Sequence, residues 1–204
     1  MDNKNHWDTV YSKKAEAELS WHQDDPSISF ELMHRAGLTT ASSVIDIGGG
    51  TSRIVDGLLD LGLTDVSVMD LSENALVAAQ RRLGADSRKV TWIAADVTKW
   101  EPGREFDIWH DRAVFHFLVD PLERQAYVHR LANSLSPKGH AIIATFALDG
   151  PLKCSGLAVA RYSPESLSET LGNGFTLVAH RYHLHHTPWG SPQSFQYSLL
   201  RKRG

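Results

Sequence analysis

The sequence has a single cysteine, almost no excess charge and no long apolar run. Cys154 alone cannot form an internal disulfide, which suits a reducing compartment. With 21 Lys and Arg against 24 Asp and Glu, the formal charge is −3, so nothing draws the chain generally to nucleic acid or anionic membranes. No apolar run approaches the roughly 20 residues of a membrane-spanning helix, and the first residues lack the apolar core of a secretory signal. We therefore expect a cytoplasmic protein without nucleic-acid or membrane partners.

The composition is that of an ordinary globular chain. The sequence has 204 residues, of which 42% are hydrophobic and 22% charged, so it is too apolar and too evenly charged to stay disordered. This length is enough for one domain with a well-developed core. We therefore predict a single domain that spans residues 1–204.

Short β-rich runs alternate with helical patterns through the middle of the chain. The runs predicted as strands are 43–47, 65–70, 90–95, 106–109 and 140–146. This alternation predicts an α/β fold in which helices cover both faces of a parallel sheet. Two further β-rich runs, 175–185 and 194–200, predict an antiparallel hairpin at the edge of the sheet. Residues 1–42 have helical patterns that we expect to cap the ligand end of the sheet.

Three successive glycines follow the first predicted strand. Gly48, Gly49 and Gly50 come soon after Asp46, and such a run permits a tight turn and the close approach of a ligand. Their order lacks the Gly-x-Gly-x-x-Gly pattern of dinucleotide sites, and no Gly-Lys-Ser/Thr follows as in a Walker loop. The turn therefore predicts a ligand site of another kind.

Aspartates end the next two predicted strands. Because ligands of open α/β sheets bind beyond the carboxyl ends of the strands, we expect Asp70 and Asp96 to lie near the glycine turn. The spacing of Asp70 from Asp46 suits an acid that accepts hydrogen bonds from ribose hydroxyls. Together these residues predict a nucleoside site, although Asp96 also suits a role in capping a turn.

The run from Val44 to Gly50 resembles motif I of the class I S-adenosylmethionine-dependent methyltransferases. Asp70 is similar to the acidic residue that ends their second strand, and Asp96-Val97 is similar to their adenine-contact position. Residues 135–140 resemble the turn that enters their fifth strand. The resemblance covers about residues 40–146 and is specific for the cofactor and the fold, but not for the substrate.

The resemblance implies a Rossmann-like seven-stranded sheet, mostly parallel with an antiparallel terminal strand, with helices on both faces and an N-terminal helical cap. It divides the chain into the cap (1–42), a cofactor-binding core (43–146) and a substrate-side region with a loop, a short helix and the hairpin (147–204). Ser52 stands where the family pattern has glycine. Because a serine at the start of a helix can cap it, we expect cofactor binding to be retained.

The resemblance also implies which residues bind S-adenosylmethionine and its product, S-adenosylhomocysteine. The glycine turn would pass close to the methionine part, and Asp46 would orient its amino group. Asp70 would bind the ribose hydroxyls, and Asp96 would accept a hydrogen bond from the adenine amino group, with Leu71 and Val97 beside the ring. The complete implied set is Asp46, Gly48, Gly49, Gly50, Asp70, Leu71, Asp96, Val97 and Asp111.

The resemblance implies that the transferred methyl group lies at the end of the fourth predicted strand. His110, Asp111 and His116 are the candidate catalytic residues there, because a histidine with a near-neutral pKa accepts a proton at cytoplasmic pH. His116 suits a packing role equally well, and Arg112 suits an anionic group of the substrate. An in-line displacement at the sulfonium methyl needs mainly alignment, and needs a base only where the acceptor arrives protonated.

The N-terminal segment has aromatic residues at a suggestive spacing. Trp7-Asp8 followed by Tyr11 and Trp21 resembles the leading segment of several small methyltransferases, where it folds over the cofactor. Tyr11, Trp21 and His22 are therefore candidate lid and substrate residues. An amphipathic helix packed on the sheet is an equal alternative.

A histidine cluster lies near the C-terminus. On a strand, His183 and His185 share one face and His186 points to the other. No cysteine lies near, and residues 170–204 contain no carboxylate, so we predict no metal site. A substrate-facing or edge-strand role is favoured, and His185 is the candidate substrate residue.

The favoured function is methyl transfer to a small molecule, because the chain has no accessory module for a macromolecule. A protein lysine methyltransferase is the first alternative, although Arg112 beside the reaction centre disfavours a cationic lysine. A catalytically silent cofactor-binding module is the second. The sequence does not predict the oligomeric state.

Overall fold

The computed structural model describes residues 3–13, 18–23 and 25–204. The predicted α/β architecture is confirmed, with helices packed around one large sheet. The strands are β1 (Ser43–Ile47), β2 (Asp65–Asp70), β3 (Val90–Ala94), β4 (Phe106–Arg112), β5 (Leu135–Phe146), β6 (Lys153–Cys154), β7 (Leu157–Ala158), β8 (Phe175–His186) and β9 (Pro192–Lys202). The helices are α1 (Asn3–Lys13), α2 (Ser27–Arg35), α3 (Ile54–Asp60), α4 (Glu73–Leu83), α5 (Pro121–Ser134) and α6 (Pro164–Leu171).

Seven strands form the sheet in the order β3-β2-β1-β4-β5-β9-β8. The strands from β1 to β5 pair in parallel, and β9 runs antiparallel to both of its neighbours. The expected C-terminal hairpin is therefore present and places the reversed strand inside the sheet, next to β5. The short strands β6 and β7 form a separate hairpin that the sequence patterns did not predict.

Helix boundaries follow local chemistry. Ser72 ends the turn before α4 and accepts a hydrogen bond from the backbone N–H of Ala75, which satisfies one of the unpaired donors of the first turn. Asp120 does the same for Leu122 at the start of α5, and Pro121 occupies the first turn there. These caps fix where each helix leaves the ligand edge of the sheet.

Four strands are longer than predicted, since β8 runs on to His186 and β9 runs from Pro192 to Lys202. β4 continues to Arg112 because Asp111 and Arg112 still pair with β5. β5 begins at Leu135 rather than at residue 140, with a register shift opposite β4. The turn expected at residues 135–140 forms the irregular first part of β5, where Lys138 has φ +66°.

The core lies on both faces of the sheet. Side chains alternate along β1, so Val44 and Ile45 enter different apolar clusters. Helices α2, α3 and α4 cover the face of Val44, and α5 and α6 cover the face of Ile45. In the described part of the chain, no helix has the length and hydropathy of a membrane span.

Candidate active site

A pocket lies beyond the carboxyl ends of β1, β2, β3 and β4, where an open α/β sheet is expected to bind ligands. It contains about 920 Å³ of empty space, its open mouth included, which leaves room for a nucleoside joined to an amino acid. A smaller continuation lies beside the glycine turn and shares Tyr11, Trp21, Gly48 and Arg112 with the main pocket. The parallel strands thus bring most of the predicted cofactor residues to one edge.

The glycine turn is built for close approach. Gly48 has φ +65°, and a Cβ there would lie 2.1 Å from Cγ2 of Val114. Gly50 has φ +35°, and a Cβ there would lie 2.8 Å from Oδ2 of Asp70. Both positions therefore need glycine for conformation and for space.

Ser52 and Arg82 secure the turn. Ser52 accepts a hydrogen bond from the N–H of Ile54 at 3.1 Å, but the N-cap of α3 is Arg53 and has no side-chain cap, so the expected capping by Ser52 is not seen. Arg82 of α4 donates to the carbonyls of Thr51 at 3.0 Å and Ser52 at 2.7 Å. It also pairs with Asp56 at 2.7 Å. Sequence reasoning missed this arginine, because only the packing of α4 against the turn brings it there.

Asp70 lies in the floor of the pocket and is 7% exposed. Its Oδ1 accepts from the N–H of Ser72 at 2.8 Å. Burial, reinforced by the charges of Asp46 and Asp8, raises the pKa of Asp70 to about 7. The carboxyl group is therefore poised to ionise near neutral pH and would gain from hydroxyl donors in a ligand.

Leu71, Asp96 and Val97 line the same pocket, as expected for an adenine subsite. Asp96 accepts from the N–H of Thr98 at 2.9 Å and from its hydroxyl at 2.7 Å, so the capping role is also present. Burial alone would raise the pKa of Asp96, but the bonds from Thr98 and the charge of Lys99 lower it. Asp96 therefore stays an ionised acceptor at neutral pH.

Asp46 and His110 form a buried pair between the glycine turn and α2. Nδ1 of His110 lies 2.6 Å from Oδ1 of Asp46, and Nε2 lies 2.9 Å from the hydroxyl of Ser29. Because a carboxylate oxygen accepts, Nδ1 carries the proton. Oδ2 of Asp46 is buried without a partner among the described residues, and both residues line the continuation of the pocket. His110 thus orients Asp46, which differs from the expected role of a base.

The structure does not bring Asp111 to the pocket. Its carboxylate is fully buried, accepts from the N–H groups of Val114 and Phe115, and receives the Tyr127 hydroxyl at 2.5 Å. Burial raises the pKa of Asp111 to about 6, although Tyr127 opposes the shift. The expected contact with the methyl donor or substrate is therefore unsupported. This carboxylate holds the turn after β4 instead.

His116 is also misplaced for the expected role of a base. It is fully buried, and its Nδ1 accepts from the N–H of Phe146 at 3.4 Å. Burial and the charge of Arg112 lower its pKa to about 3, so the ring is neutral. The packing alternative describes His116 better, because its ring lies 4.5 Å from Phe117 and 4.8 Å from Phe146.

Helix α1 and the segment 18–23 roof the pocket with aromatic rings. Trp7 lies edge-on to Trp21 at 5.5 Å and to Phe117 at 5.1 Å, and Tyr11 lies 6.0 Å from Trp21. Tyr11 and Trp21 line the pocket where lid residues were predicted. Asp8 fixes the helix to the start of α4 by accepting from the Ser72 hydroxyl at 2.6 Å. Sequence reasoning quoted Asp8 but did not predict this role.

His22 and His185 lie beside the pocket rather than inside it. His22 lines the continuation near the glycine turn, and both histidines line a neighbouring groove. Nε2 of His185 donates to the carbonyl of Ser20 at 2.8 Å, and burial lowers its pKa to about 4. His185 therefore ties the roof segment to β8, and the expected substrate contact is unsupported. The described residues contain no cluster of metal ligands.

Arg112, which was predicted to contact the substrate, ends β4 and lines both parts of the pocket. Its Nε donates to the Tyr197 hydroxyl at 3.0 Å and its Nη1 to the carbonyl of Trp21 at 2.8 Å. Cys154 faces the same pocket, but burial raises its pKa to about 11. The thiol is therefore not a nucleophile at neutral pH.

Known proteins resemble this chain in sequence and in fold. Residues 44–139 match the family of methyltransferase domains. The matched residues run from β1 into β5 and include the glycine turn, Asp70 and Asp96. A methyltransferase from Anabaena variabilis has the same fold, with a TM-score of 0.78 at 14% identity, over 100% of this chain and 96% of that one. The N-methyltransferase NodS from Bradyrhizobium japonicum, solved with S-adenosylhomocysteine, has a TM-score of 0.71 at 18% identity, over all of both chains.

Two curated methyltransferases are similar over part of their length. The mouse eEF1A lysine and N-terminal methyltransferase is 20% identical over 86% of this chain and 24% of its own length. The trans-aconitate 2-methyltransferase of Rhizobium leguminosarum is 29% identical over 53% of this chain and 40% of its own length. The chain thus spans less than half the length of the curated relatives it matches.

The residues present fit the family's methyl donor, S-adenosylmethionine. The unpartnered Oδ2 of Asp46 suits the donor's ammonium group, and the space that a Cβ on Gly50 would take suits its ribose beside Asp70. Leu71 and Val97 present apolar surface where the resemblance places adenine.

Proposed function

We propose that the chain is a methyltransferase that transfers the methyl group of S-adenosylmethionine to a small molecule. The observation that carries the proposal is the roofed pocket, whose lining includes Asp70, Gly48 of the glycine turn and Arg112. The rings of Trp7, Trp21 and Phe117 pack against one another and line this pocket. A compact acceptor fits this space better than a protein surface does.

The bound donor supplies an electrophilic methyl group on a sulfonium. The chain supplies position: Asp46 and the glycine turn orient the amino-acid end, Asp70 holds the ribose, and Asp96 holds the adenine. The aromatic roof excludes water from the reaction. This division of roles suits a reaction that depends on alignment.

The groups near the reacting end support an acceptor that is already ionised. His116 is buried and neutral, and both nitrogens of His110 are engaged by Asp46 and Ser29. Neither histidine is placed to take a proton from a molecule in the main pocket. We therefore propose an acceptor that needs no enzymic base.

Methyl transfer to a protein is the second candidate. The similarity to the mouse lysine and N-terminal methyltransferase, over 86% of this chain, favours it. The cationic Arg112 in the pocket disfavours it, because a lysine ammonium would be repelled there. The trans-aconitate methyltransferases support the small-molecule reading.

The test has two steps. Calorimetry with S-adenosylhomocysteine should give saturable binding that Asp70→Asn weakens and that Asp60→Asn, an exposed matched control at the end of α3, leaves unchanged. Radiolabelled S-adenosylmethionine is then incubated with pooled small carboxylic acids, thiols and amines, and separately with protein extract. Label in small molecules alone supports the proposal. Label in protein bands favours the second candidate, and binding without any turnover in either pool leaves a silent binding module.

A further inference from the structure

Arg112 gives the pocket a cation, and the described acidic residues that line the pocket, Asp70, Asp96 and Glu123, form no ion pair with it. We propose that the methyl acceptor carries a carboxylate, and that the guanidinium of Arg112 binds it. This inference rests on the proposed function, because it names the class of small molecule that the same pocket takes. It is argued from the hydrogen bonds of Arg112, its surroundings and its place in the sheet.

The guanidinium is held rigidly, with one nitrogen left over. Tyr197 and the carbonyl of Trp21 occupy Nε and Nη1, and the group lies 4.8 Å above the ring of Phe195. Nη2 of Arg112 is buried and has no partner among the described residues. A buried donor without an acceptor is costly, so a ligand that supplies one is bound more tightly.

The charge of Arg112 is not neutralised by the described part of the chain. No carboxylate there forms an ion pair with Arg112, whereas other arginines such as Arg82 and Arg104 do pair with aspartates. The positive charge of Arg112 contributes to the lowered pKa values of its neighbours His116 and His185. An uncompensated cation in a partly closed pocket selects an anion.

The other residues that line the pocket indicate the polarity of the rest of the ligand. Trp7, Phe117 and Leu118 line the pocket together with Arg112 and the neutral Cys154 thiol. A single arginine with one unpaired nitrogen matches one carboxylate oxygen. A dianionic phosphate would lose more hydration free energy than a carboxylate on entering a pocket with apolar walls. The pocket therefore suits a monoanionic head on an apolar body.

The donor has a carboxylate of its own, so position must distinguish the two sources. Arg112 bonds to Tyr197 of β9 and lies over Phe195 of β9, which places its guanidinium on the β5 and β9 side of β4. The glycine turn follows β1, on the opposite side of β4. That side has a second arginine, Arg53, which lines the continuation beside the turn together with Arg112. Because its guanidinium is anchored at β9, we assign Arg112 to the acceptor and the glycine-turn side to the donor.

The experiment uses acetate, the smallest stable carboxylate that any such pocket admits. Binding of S-adenosylhomocysteine is measured first by calorimetry, and acetate is then titrated into the loaded ¹⁵N-labelled protein while the arginine side-chain signals are followed by NMR. We expect the Arg112 Nε signal to shift and saturate, and isosteric acetamide to leave it unmoved. Arg112→Gln should weaken acetate binding about tenfold or more, whereas the matched change Arg53→Gln should not.

Each outcome of the experiment supports or contradicts either the proposed function or this inference. Failure to bind S-adenosylhomocysteine contradicts the proposed function, whereas binding of it without an acetate response at Arg112 contradicts only this inference. An Arg112 response that occurs in the donor-free protein and disappears on loading would assign the arginine to the donor's carboxylate, and would also overturn the inference. The wild-type titration stands even if Arg112→Gln fails to fold.

Discussion

Asp70 is the main donor-binding acid of the proposal, and burial of its ionised form lowers the stability of the folded protein. It is 7% exposed, and its pKa of about 7 reflects burial first and the charges of Asp46 and Asp8 next. Its acceptor bond from Ser72 only partly offsets that cost. We predict that Asp70→Asn stabilises the free protein and weakens donor binding.

The sign of the stability effect follows from proton linkage. In the unfolded chain Asp70 ionises near 3.8, whereas the folded protein holds its proton until about pH 7. Between these values the folded state binds more protons, so its stability falls as the pH rises. The difference of about 3 pH units corresponds to at most about 4 kcal/mol above pH 7. Asparagine has nearly the same shape and no charge, so Asp70→Asn escapes this cost.

The effect on binding has the opposite sign. An ionised Asp70 that accepts from ribose hydroxyls would contribute roughly 1.5–3 kcal/mol through charged hydrogen bonds, which is about 10- to 100-fold in affinity. Since ionisation is required, the affinity of the wild-type protein for S-adenosylhomocysteine should rise as the pH increases through 7. The asparagine variant should show no such rise.

Calorimetric unfolding at pH 5 and pH 8, with binding measured at both values, checks these predictions. The melting temperature of Asp70→Asn should exceed that of the wild type at pH 8, and the difference should shrink at pH 5. Asp60→Asn serves as the exposed control. A variant that melts lower at pH 8, or that binds S-adenosylhomocysteine within twofold of the wild type, would refute the reasoning.

Three further predictions concern the surroundings of the pocket. Gly48→Ala should reduce S-adenosylhomocysteine affinity at least about tenfold in calorimetry, because its Cβ would lie 2.1 Å from Val114; unchanged affinity would contradict the tight approach. Tyr127→Phe should lower the free energy of unfolding in urea by about 1–3 kcal/mol, since buried Asp111 loses a donor; a change below about 0.5 kcal/mol would count against that bond. Cys154 should react with iodoacetamide far more slowly than free cysteine at pH 8, because its pKa is about 11; mass spectrometry follows the reaction, and equal rates would contradict the buried thiol.

Local pattern was sufficient for most of the fold. The strands at 43–47 and 65–70 were predicted with the bounds that the structure has, because each is a short apolar run between a turn and a glycine or a cap. The ends of β4 and β5 were not, because Asp111, Arg112 and Leu135 are strand residues only through their partners in the neighbouring strand. Strand ends that depend on pairing cannot be read from one segment.

For the site, as for the fold, the sequence predicted some features and not others. Gly48, Gly50, Asp70 and Asp96 were predicted to converge, and they do, since parallel strands present their carboxyl ends at one edge. The direction of side chains at the end of β4 was not predicted. His110 meets Ser29 of α2, a residue 81 positions away, so its role depends on helix packing.

The sequence by itself determined the order of strands and helices and the glycine turn, because period, turn residues and caps act over a few residues. Tertiary structure alone decided which polar groups are satisfied inside the fold and which are left for a ligand. The Asp111 carboxylate accepts a hydrogen bond from the Tyr127 hydroxyl inside the fold. Nη2 of Arg112, beside the pocket, has no partner among the described residues. The physical reason is that a hydrogen-bond partner is set by proximity in space, and the partners of these neighbours come from distant helices and strands.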